Sequence, residues 1–542
     1  MVVAIISAIL TSGPFLNPDL AELAWIGMVP LLLWLSGAPR WKTVWVALFF
    51  SGWLGWAIQV AWLRHVTWLG TGLLAAILSF FWVAFFAVAR QWLPKIRMLG
   101  WAGRLFGLAA LGAAFVLLEW IRTWLLWGFP WNPLAASQWQ RPVMLSILPL
   151  TGSWGLSWLI VFFNLAVTSY VGVIFRRQTV SDERSMPGAS GGLRLMVRFR
   201  PEFYLAIGLI FFCFHQYLGN RESGPPTREL MVGLVQPDIP QELKWDTEAA
   251  VENLEVLINL TRTIAAAGPD LILWPESATP WPVAGRLSIR EVLEELVEEI
   301  GIAILMGNMV FHDGGRWENG VFLIRPDFGL ESAYYAKRKL VPFGEYNPLR
   351  GLVPGIEIFV PFSDDAIPGT RDGPLAVAIA GGRSGRQENL MVGNLICYED
   401  IFPRLARRTV RAGAEVLFVA SNMAWYGTER AGYQHAAHSV LRAAETGVPV
   451  IRVGNNGWSG WIDERGHLRQ VVTDPDTGSI YTRQVETTQM AWTPRLEPTA
   501  YVQYGDWFVL LCGGLVGLAG LRFRPKRELK RSGEATAAET DG

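Results

Sequence analysis

Long apolar segments constrain the fold of this 542-residue chain more than any other feature. A helix needs about 20 mostly apolar residues to cross a bilayer. Seven apolar segments precede residue 220, and one more follows a long polar stretch. They cover residues 2–12, 21–37, 44–62, 70–90, 105–127, 155–175, 203–219 and 504–521. The sequence therefore predicts a multispan α-helical membrane domain of about eight transmembrane helices, with a further domain inserted before the last one.

Composition supports a membrane protein. Hydrophobic residues make up 51% of the chain and charged residues 17%, against roughly 25% charged residues in ordinary globular domains. The chain also has 27 tryptophans, a residue that favours the boundary between water and lipid. Lys+Arg and Asp+Glu both number 47, so the net charge gives no indication of a nucleic-acid partner.

The distribution of basic residues predicts the orientation. The loops after the second and fourth predicted spans are basic, as are the segment 176–200 and the end of the chain. Because cytoplasmic loops are enriched in Lys and Arg, both termini are expected in the cytoplasm and residues 221–500 on the far side. The predicted domains are a transmembrane domain (1–220, seven helices), an extracytoplasmic domain (221–500), a last transmembrane helix (501–523) and a basic, then polar, cytoplasmic tail (524–542).

Residues 221–500 alternate between apolar runs and helical periodicity. The expected strands are MVGLVQ, LILWP, IAILMGN, VFLIRP, LMVGNLIC, EVLFVASN and PVIRVGNN. Helical periodicity covers 247–267, 288–300, 402–412 and 430–446. Strands that alternate with helices predict a layered α/β domain.

Reactive side chains follow three of these expected strands, where α/β domains place their functional groups. Glu276 lies in DLILWPESATPW, Lys337 and Lys339 in YYAKRKLVPFGEYNP, and Cys397 in MVGNLICYEDIFP. A thiol accepts an acyl group only when it is deprotonated, which requires a base and a nearby positive charge. Taken singly, each residue has a plainer interpretation: a helix cap or surface acid, a surface lysine, or a buried core thiol.

The other two cysteines, Cys213 and Cys512, lie inside apolar segments. They are expected to be buried structural thiols. Cys397 is therefore the candidate nucleophile.

The combination of Glu, Lys and Cys, in this order and roughly 60 residues apart, resembles the nitrilase superfamily. The pattern Y-x-K-x-x-L selects Lys337 over Lys339, and C-Y-E-D-x-F-P contains Cys397. The resemblance implies an α-β-β-α sandwich and a Glu276–Lys337–Cys397 catalytic set.

Further motifs resemble the apolipoprotein N-acyltransferase family: VQPDIPQELKWD, LVPFGEYNP, GNNGWSGWIDERG and EWIRTWLLWGFPWNP. This resemblance covers nearly the whole chain up to about residue 525. It implies that Trp245, Glu345, Tyr398 and Glu399 support the active site.

The same resemblance implies an acyltransferase of the bacterial inner membrane that works through a thioester on Cys397. The implied partners are a phospholipid acyl donor and the α-amino group of a diacylglyceryl-modified apolipoprotein; no cofactor or metal is expected. A membrane-tethered nitrilase-type amidase remains an alternative because it also passes through a thioester. A transporter or scaffold with a degenerate domain is a second alternative, which would require a broken catalytic set.

Three features lie outside these motifs. Glu119 and Arg122, near the end of a predicted span, suggest an ion pair or, less readily, contact with a lipid headgroup. His435 and His438 on a predicted helix suggest ordinary surface or packing residues more than metal ligands. The stretch 351–389 is rich in Gly, Pro and apolar residues and suggests a lipid-facing arm.

Overall fold

The computed structural model describes residues 1–177, 200–219, 225–285, 287–350, 365–380 and 387–523. The basic stretch 178–199, the tail 524–542 and the apolar part of the predicted arm, 351–364, lie outside these ranges. The arm and the basic tail therefore stay predictions.

Most of the described chain up to residue 219 is helical. These helices and the later helix Trp507–Arg522 are here called the helical bundle. Its helices are α1 (Val2–Leu16), α2 (Val29–Ser36), α3 (Trp41–Gln59), α4 (Trp68–Ile96), α5 (Trp101–Ile121), α6 (Pro142–Leu145), α7 (Leu148–Thr151), α8 (Ser153–Arg177), α9 (Pro201–Gly219) and, far along the chain, α16 (Trp507–Arg522). A 3₁₀ helix, Pro18–Trp25, precedes α2.

Within the described residues, five helical segments are long and apolar enough to cross a membrane. They are Pro18–Ser36, Trp68–Ile96, Trp101–Ile121, Ser153–Val173 and Pro201–Gly219. The other predicted spans are also helical, but α1 and α16 have only 15 and 16 residues. Helix α3 has 19 residues yet is less apolar because it includes Lys42, Ser51 and Gln59. The protein is thus a multi-pass membrane protein, and the number of eight spans stays a prediction.

Basic residues gather at one end of the bundle. Arg90 Nε donates to the carbonyl of Pro39 at 2.9 Å, and Arg97 Nη1 donates to that of Ser36 at 3.0 Å. Lys95 Nζ donates to the carbonyl of Phe523, at the end of α16, at 2.6 Å. The loop after α2, the end of α4 and the end of α16 therefore share one side of the bundle.

The described residues between 225 and 497, here called the sheet domain, contain thirteen strands in two sheets. The strands are β1 (Arg228–Gln236), β2 (Leu271–Trp274), β3 (Ile304–Phe311), β4 (Trp317–Arg325), β5 (Gly329–Leu330), β6 (Tyr335–Ala336), β7 (Leu375–Ala380), β8 (Gln387–Ile396), β9 (Val416–Ser421), β10 (Val450–Gly454), β11 (Gly460–Ile462), β12 (Leu468–Val471) and β13 (Gln484–Trp492). The first sheet has the order β13-β1-β2-β3-β4-β5, with β6 also paired to β4; the second has the order β12-β11-β10-β9-β8-β7. Strands β1–β3 are parallel, as are β8–β10.

Helices cover the outer faces of both sheets. They are α11 (Ala250–Ala265), α12 (Leu287–Ile300), α13 (Pro403–Arg411) and α14 (Ala431–Thr446); the short helices α10 (Gln241–Lys244) and α15 (Ala500–Tyr504) contact other helices. Each of the seven expected strands and four expected helices is present, which confirms the predicted layered α/β domain.

Three apolar layers hold the sheet domain together. Residues such as Val232 and Phe418 fill the space between the two sheets. The outer face of the first sheet packs on α11 and α12 through residues such as Leu257. The outer face of the second sheet packs on α13 and α14, and this layer is continuous with the core of the helical bundle. The order of layers is therefore helix, sheet, sheet, helix, with the bundle against the last layer.

Candidate active site

The three predicted catalytic residues lie at the ends of β2, β6 and β8. Glu276 follows β2 after one proline, Lys337 directly follows β6, and Cys397 directly follows β8. Lys337 is 1% exposed, and its Nζ lies 3.3 Å from Glu276 Oε1. Both of these charged groups act on the Cys397 thiol. The fold therefore brings the Glu, Lys and Cys of the three separate motifs together.

A second carboxylate and an amide complete this cluster. Lys337 Nζ donates to Glu345 Oε1 at 2.7 Å. Asn319 Nδ2, from β4, donates to Glu276 Oε1 at 2.8 Å and to Glu345 Oε1 at 3.4 Å. Burial lowers the pKa of Lys337, but the two carboxylates more than offset this and hold the pKa well above its ordinary value. One ammonium ion is thus shared between two carboxylates.

Cys397 has a strained backbone and a protonated thiol. Its φ angle is +49°, a conformation that is uncommon for residues other than glycine and is often found at functional sites. Burial raises the pKa of the thiol, Glu276 raises it further, and Lys337 lowers it; the net pKa lies well above the ordinary value. The thiol therefore holds its proton at neutral pH until a base removes it.

Glu399 fixes the backbone on both sides of the cluster. Its Oε2 accepts from the backbone N–H of Ile396 at 2.8 Å and from Tyr335 Oη at 2.6 Å. Its Oε1 accepts from the N–H groups of Arg338 and Lys339 at 2.8 and 3.1 Å. Glu399 is fully buried. It acts by positioning the residues that flank Cys397 and Lys337.

A buried polar network supports the carbonyl of Cys397. His435 Nε2 lies 3.1 Å from this carbonyl and 2.6 Å from Asp400 Oδ1. Arg452 donates to Asp400 Oδ2 at 2.8 Å and to His435 Nδ1 at 2.7 Å. Arg452 donates to Nδ1, so this nitrogen carries no proton and Nε2 is the donor; burial and then Arg452 also lower the pKa of His435. His435 and His438 are both buried, so they are packing residues and not surface residues. His435 positions the Cys397 backbone.

Lys244 is a second buried lysine at this site. Its Nζ donates to the backbone carbonyl of Glu276 at 3.0 Å. Burial lowers the pKa of Lys244 to about 8, although Glu276 and Cys397 raise it. Lys244 thus fixes the backbone of Glu276.

The remaining predicted residues lie farther out. Tyr398 Oη donates to the carbonyl of Gly128 in the helical bundle at 2.7 Å. Lys339 Nζ donates to the carbonyl of Trp127 at 2.6 Å, so Lys337, and not Lys339, is the lysine beside Glu276. Trp245 is 40% exposed and, among the described residues, forms no hydrogen bond with Glu276, Lys337 or Cys397.

The sequence interpretation missed Asn319, Lys244, Asp400 and Arg452. Arg452 carries a signal, because it is a charged residue inside the apolar run PVIRVGNN. Asp400 and Lys244 lie inside the motifs C-Y-E-D-x-F-P and VQPDIPQELKWD but were not singled out there, and Asn319 has no distinguishing local pattern. Within the described residues, no group of three or more His, Cys, Asp or Glu side chains is placed to hold a metal ion.

Two family models and several named relatives match long parts of the chain. The family model described as carbon-nitrogen hydrolase matches residues 231–488, and that of the apolipoprotein N-acyltransferase N-terminal domain matches residues 7–166. The apolipoprotein N-acyltransferase of Geobacter metallireducens is 30% identical, over 96% of this chain and 95% of its own. That of Methylococcus capsulatus is 29% identical, over 95% of each chain. An amidase from Nesterenkonia sp. AN1 covers 53% of this chain and 99% of its own, at 15% identity and a TM-score of 0.37.

The fold and the first family model define a carbon-nitrogen hydrolase-type enzyme domain, here joined to a multi-pass membrane region. Within this class, the relatives that match over 95–96% of the chain are named apolipoprotein N-acyltransferases. The chain belongs to the apolipoprotein N-acyltransferase family.

Proposed function

We propose that this protein moves an acyl chain from a membrane phospholipid, through a thioester on Cys397, to the α-amino group of the N-terminal S-diacylglyceryl cysteine of lipoproteins. The observation that carries the proposal is the buried Lys337 ammonium, shared by Glu276 and Glu345 beside the Cys397 thiol. A base, a nucleophile and a fixed positive charge in one site are what acyl transfer requires.

In the first half-reaction, Glu276 accepts the proton of the Cys397 thiol. The thiolate attacks the ester carbonyl of the phospholipid, and the new oxyanion is stabilised by Lys337 and by a backbone N–H near Tyr398. The ester C–O bond then breaks, and the leaving alkoxide takes the proton from Glu276. The products are a lysophospholipid and the acyl thioester.

In the second half-reaction, the incoming amine loses a proton to Glu276 and attacks the thioester. The C–S bond breaks, an amide forms, and the thiolate recovers the proton. Glu345 and Asn319 hold Lys337 and Glu276 in place through both steps. Glu399 holds the backbone on either side of Cys397 and Lys337, and Tyr398 binds the helical bundle. Trp245 belongs to the surface that receives substrate.

The position of the site suits substrates that stay in the bilayer. Tyr398, which directly follows Cys397, and Lys339 both bind the backbone of the bundle loop at residues 127–128. Arg90 and Lys95 lie near the end of α4, at the basic end of the bundle. The loop at residues 127–128 follows the far end of α5 and therefore lies at the opposite end of the bundle. This supports a catalytic domain, residues 221–500, on the extracytoplasmic side of the bacterial inner membrane.

The experiment is an intact-mass measurement on purified protein after incubation with phosphatidylethanolamine. Wild-type protein is expected to gain one acyl group that hydroxylamine removes, and Cys397→Ser protein is expected to gain none. Cys213→Ser is the matched control, because Cys213 is a buried thiol in α9, and it should acylate like wild type.

Addition of a diacylglyceryl-cysteine peptide separates the proposed transferase from the amidase alternative. The transferase is expected to move the acyl group onto the peptide amine faster than onto water. Loss of the adduct to water alone, or an adduct that survives in Cys397→Ser protein, would contradict the proposal.

A further inference from the structure

Two buried ionisable side chains of the helical bundle have no part in the proposed reaction. Glu119 lies at the end of α5, and Arg122 follows this helix directly. They are 6% and 5% exposed. Ionisable groups inside a membrane domain are costly and usually paired. The charges of Glu119 and Arg122 attract each other, yet among the described residues Arg122 Nε has no hydrogen-bond acceptor and Glu119 Oε2 has no donor, so no hydrogen bond joins the two side chains.

Both side chains line a pocket between α1, α3, α4 and α5. Its wall is mostly apolar, with a few hydroxyl groups such as those of Ser12 and Ser51. Asn132, 4% exposed, also lines the pocket, and its Oδ1 has no donor within the described part of the chain. Phe81 and Phe115 lie at the pocket and are only partly buried. Both rings give this edge of the pocket an apolar, partly exposed surface.

The orientation of the charged groups leaves one donor and one acceptor open. The Arg122 guanidinium lies 4.8 Å from the centroid of the Trp56 ring, which fixes its position. Glu119 Oε1 accepts from the backbone N–H of Leu134 at 2.6 Å, so Oε2 is the free oxygen. A cationic donor and two free oxygen acceptors above an apolar wall match an amphiphile whose headgroup carries both a phosphate and a hydrogen-bond donor.

We infer that this pocket binds one glycerophospholipid, with its phosphate on Arg122 and a headgroup N–H or O–H donated to Glu119 Oε2 or Asn132 Oδ1. One acyl chain lies along the wall between α1 and α4. Ethanolamine and glycerol headgroups provide the required donor, whereas choline does not.

This lipid site is separate from Cys397. None of Glu276, Lys337 or Cys397 lines the pocket. Trp131, the neighbour of Asn132, packs on His435 with ring centroids 5.5 Å apart, and His435 contacts the Cys397 carbonyl. Trp131 and His435 thus lie between the pocket and the Cys397 backbone. The inference does not depend on acyl transfer, because it concerns lipid that is bound and not consumed.

Native mass spectrometry of the full chain tests the inference, in a Cys397→Ser background so that no lipid is consumed. Delipidated protein receives phosphatidylethanolamine, phosphatidylglycerol, phosphatidylcholine, diacylglycerol or inorganic phosphate. One bound lipid per chain, in addition to the donor lipid that the active site can hold, is expected with the first two, less with phosphatidylcholine, and none in the pocket with diacylglycerol or inorganic phosphate. Arg122→Gln should lower phospholipid occupancy about tenfold, because it removes a charge-assisted hydrogen bond.

Arg90→Gln is the matched control. Arg90 also lies over a tryptophan, 5.0 Å from the Trp41 ring centroid, but it binds the Pro39 carbonyl at the basic end of the bundle. It should retain lipid like the parent protein. Equal lipid retention by Arg122→Gln, equal retention of diacylglycerol, or binding of inorganic phosphate without lipid would overturn the inference.

A photoreactive phosphatidylethanolamine with a diazirine in one chain gives an answer without any substitution at Arg122. Phe81 lines the pocket, whereas its neighbour Phe80 is 61% exposed on the outside of the bundle. Cross-links to Phe81 and Ala8 that excess unlabelled lipid suppresses are expected. Cross-links to Phe80 alone would identify only the lipid that surrounds the protein and would overturn the inference.

Discussion

Glu399 binds the two chain segments that carry Cys397 and Lys337, and it does so with both of its carboxylate oxygens. The four donors on it come from Ile396, Tyr335, Arg338 and Lys339. An amide in its place would turn one acceptor into a donor that faces other donors. A buried donor without an acceptor costs about 1–3 kcal/mol.

Replacement of Glu399 by Gln is therefore expected to slow thioester formation on Cys397 by about 10- to 100-fold, in the range of other residues that orient reactive groups. The rate of acyl-adduct formation, followed by intact mass, measures this. Glu415→Gln serves as the control. Glu415 is half-buried, pairs with Arg228 and accepts from the backbone N–H of Met391, which lies in β8 six residues before Cys397. A wild-type rate for Glu399→Gln would show that its hydrogen bonds do not position the site.

The local sequence predicts some residues of the site and misses others for a physical reason. Glu276, Lys337 and Cys397 each lie in a strand-ending motif. Asn319 lies in the middle of β4, and its contact with Glu276 exists only after β4 pairs with its neighbours. Lys244 follows an ordinary polar pattern, QELKW, and nothing in that pattern indicates that its ammonium group will be buried.

At the scale of elements, α14 differs most from its sequence pattern. Only Tyr433 of this helix is not buried. One face lies on the second sheet, and another contacts the bundle, where Gln434 Oε1 accepts from the indole N–H groups of Trp62 and Trp131 at 3.0 and 2.8 Å. The helix therefore buries both of its histidines. Neither ring nitrogen of His438 has a hydrogen-bond partner in the described part of the chain.

This burial predicts a loss of stability in mild acid. Burial lowers the pKa of His438 well below its ordinary value, so below pH about 6.5 the unfolded chain binds a proton that the folded chain refuses. The free energy of unfolding should be constant above that pH and fall below it, by up to about 1.4 kcal/mol per pH unit for each such histidine.

Thermal unfolding in detergent between pH 7.5 and pH 5, taken here as roughly the range over which histidine titrates, measures this fall. His438→Phe keeps a ring beside Trp131 and removes one titrating group, so its pH dependence should be shallower. His215→Phe is the control, because His215 is exposed in α9 and, in the described part of the chain, has no ion-pair partner, unlike His312, which pairs with Glu318; its pH dependence should match wild type. An unchanged slope for His438→Phe would contradict the prediction.

The strand pattern was predicted well where strands are central and apolar. Strands β1–β4 and β8–β10 are apolar runs, so the local sequence alone predicts that they are buried strands. Strand β13 pairs antiparallel with β1, Trp492 opposite Arg228, and only this distant pairing makes it a strand. Strand β6 has two residues, too few for periodicity, and β7 lies in a stretch without clear alternation.

At the scale of the whole molecule, the sheet domain and the helical bundle share one apolar core. Leu417 and Val440 belong to the same buried cluster as Leu145 and Leu148 of the bundle. Polar contacts cross the same boundary, such as Ser153 N–H to Glu445 Oε1 at 2.8 Å. The sheet domain therefore lacks a polar surface on this side.

Residues 225–497 expressed alone are expected to aggregate, because the bundle-facing side of α14 and its neighbours would be an exposed apolar patch. Size-exclusion chromatography and near-ultraviolet circular dichroism in detergent-free buffer measure this, with the full chain in detergent as the reference. A monomeric fragment with a native near-ultraviolet spectrum would contradict the expectation.

The shared core also has a consequence for biogenesis. Synthesis runs from the N-terminus, so every bundle helix up to α9 is made before the first strand of the sheet domain. Helix α16 comes last, and it docks when Asp506, at its start, accepts from the indole N–H groups of Trp120 and Trp154. The surface on which the sheet domain packs is therefore synthesised before the domain itself. Insertion of the bundle into the membrane is expected to supply the template on which the sheet domain folds, with α16 added afterwards.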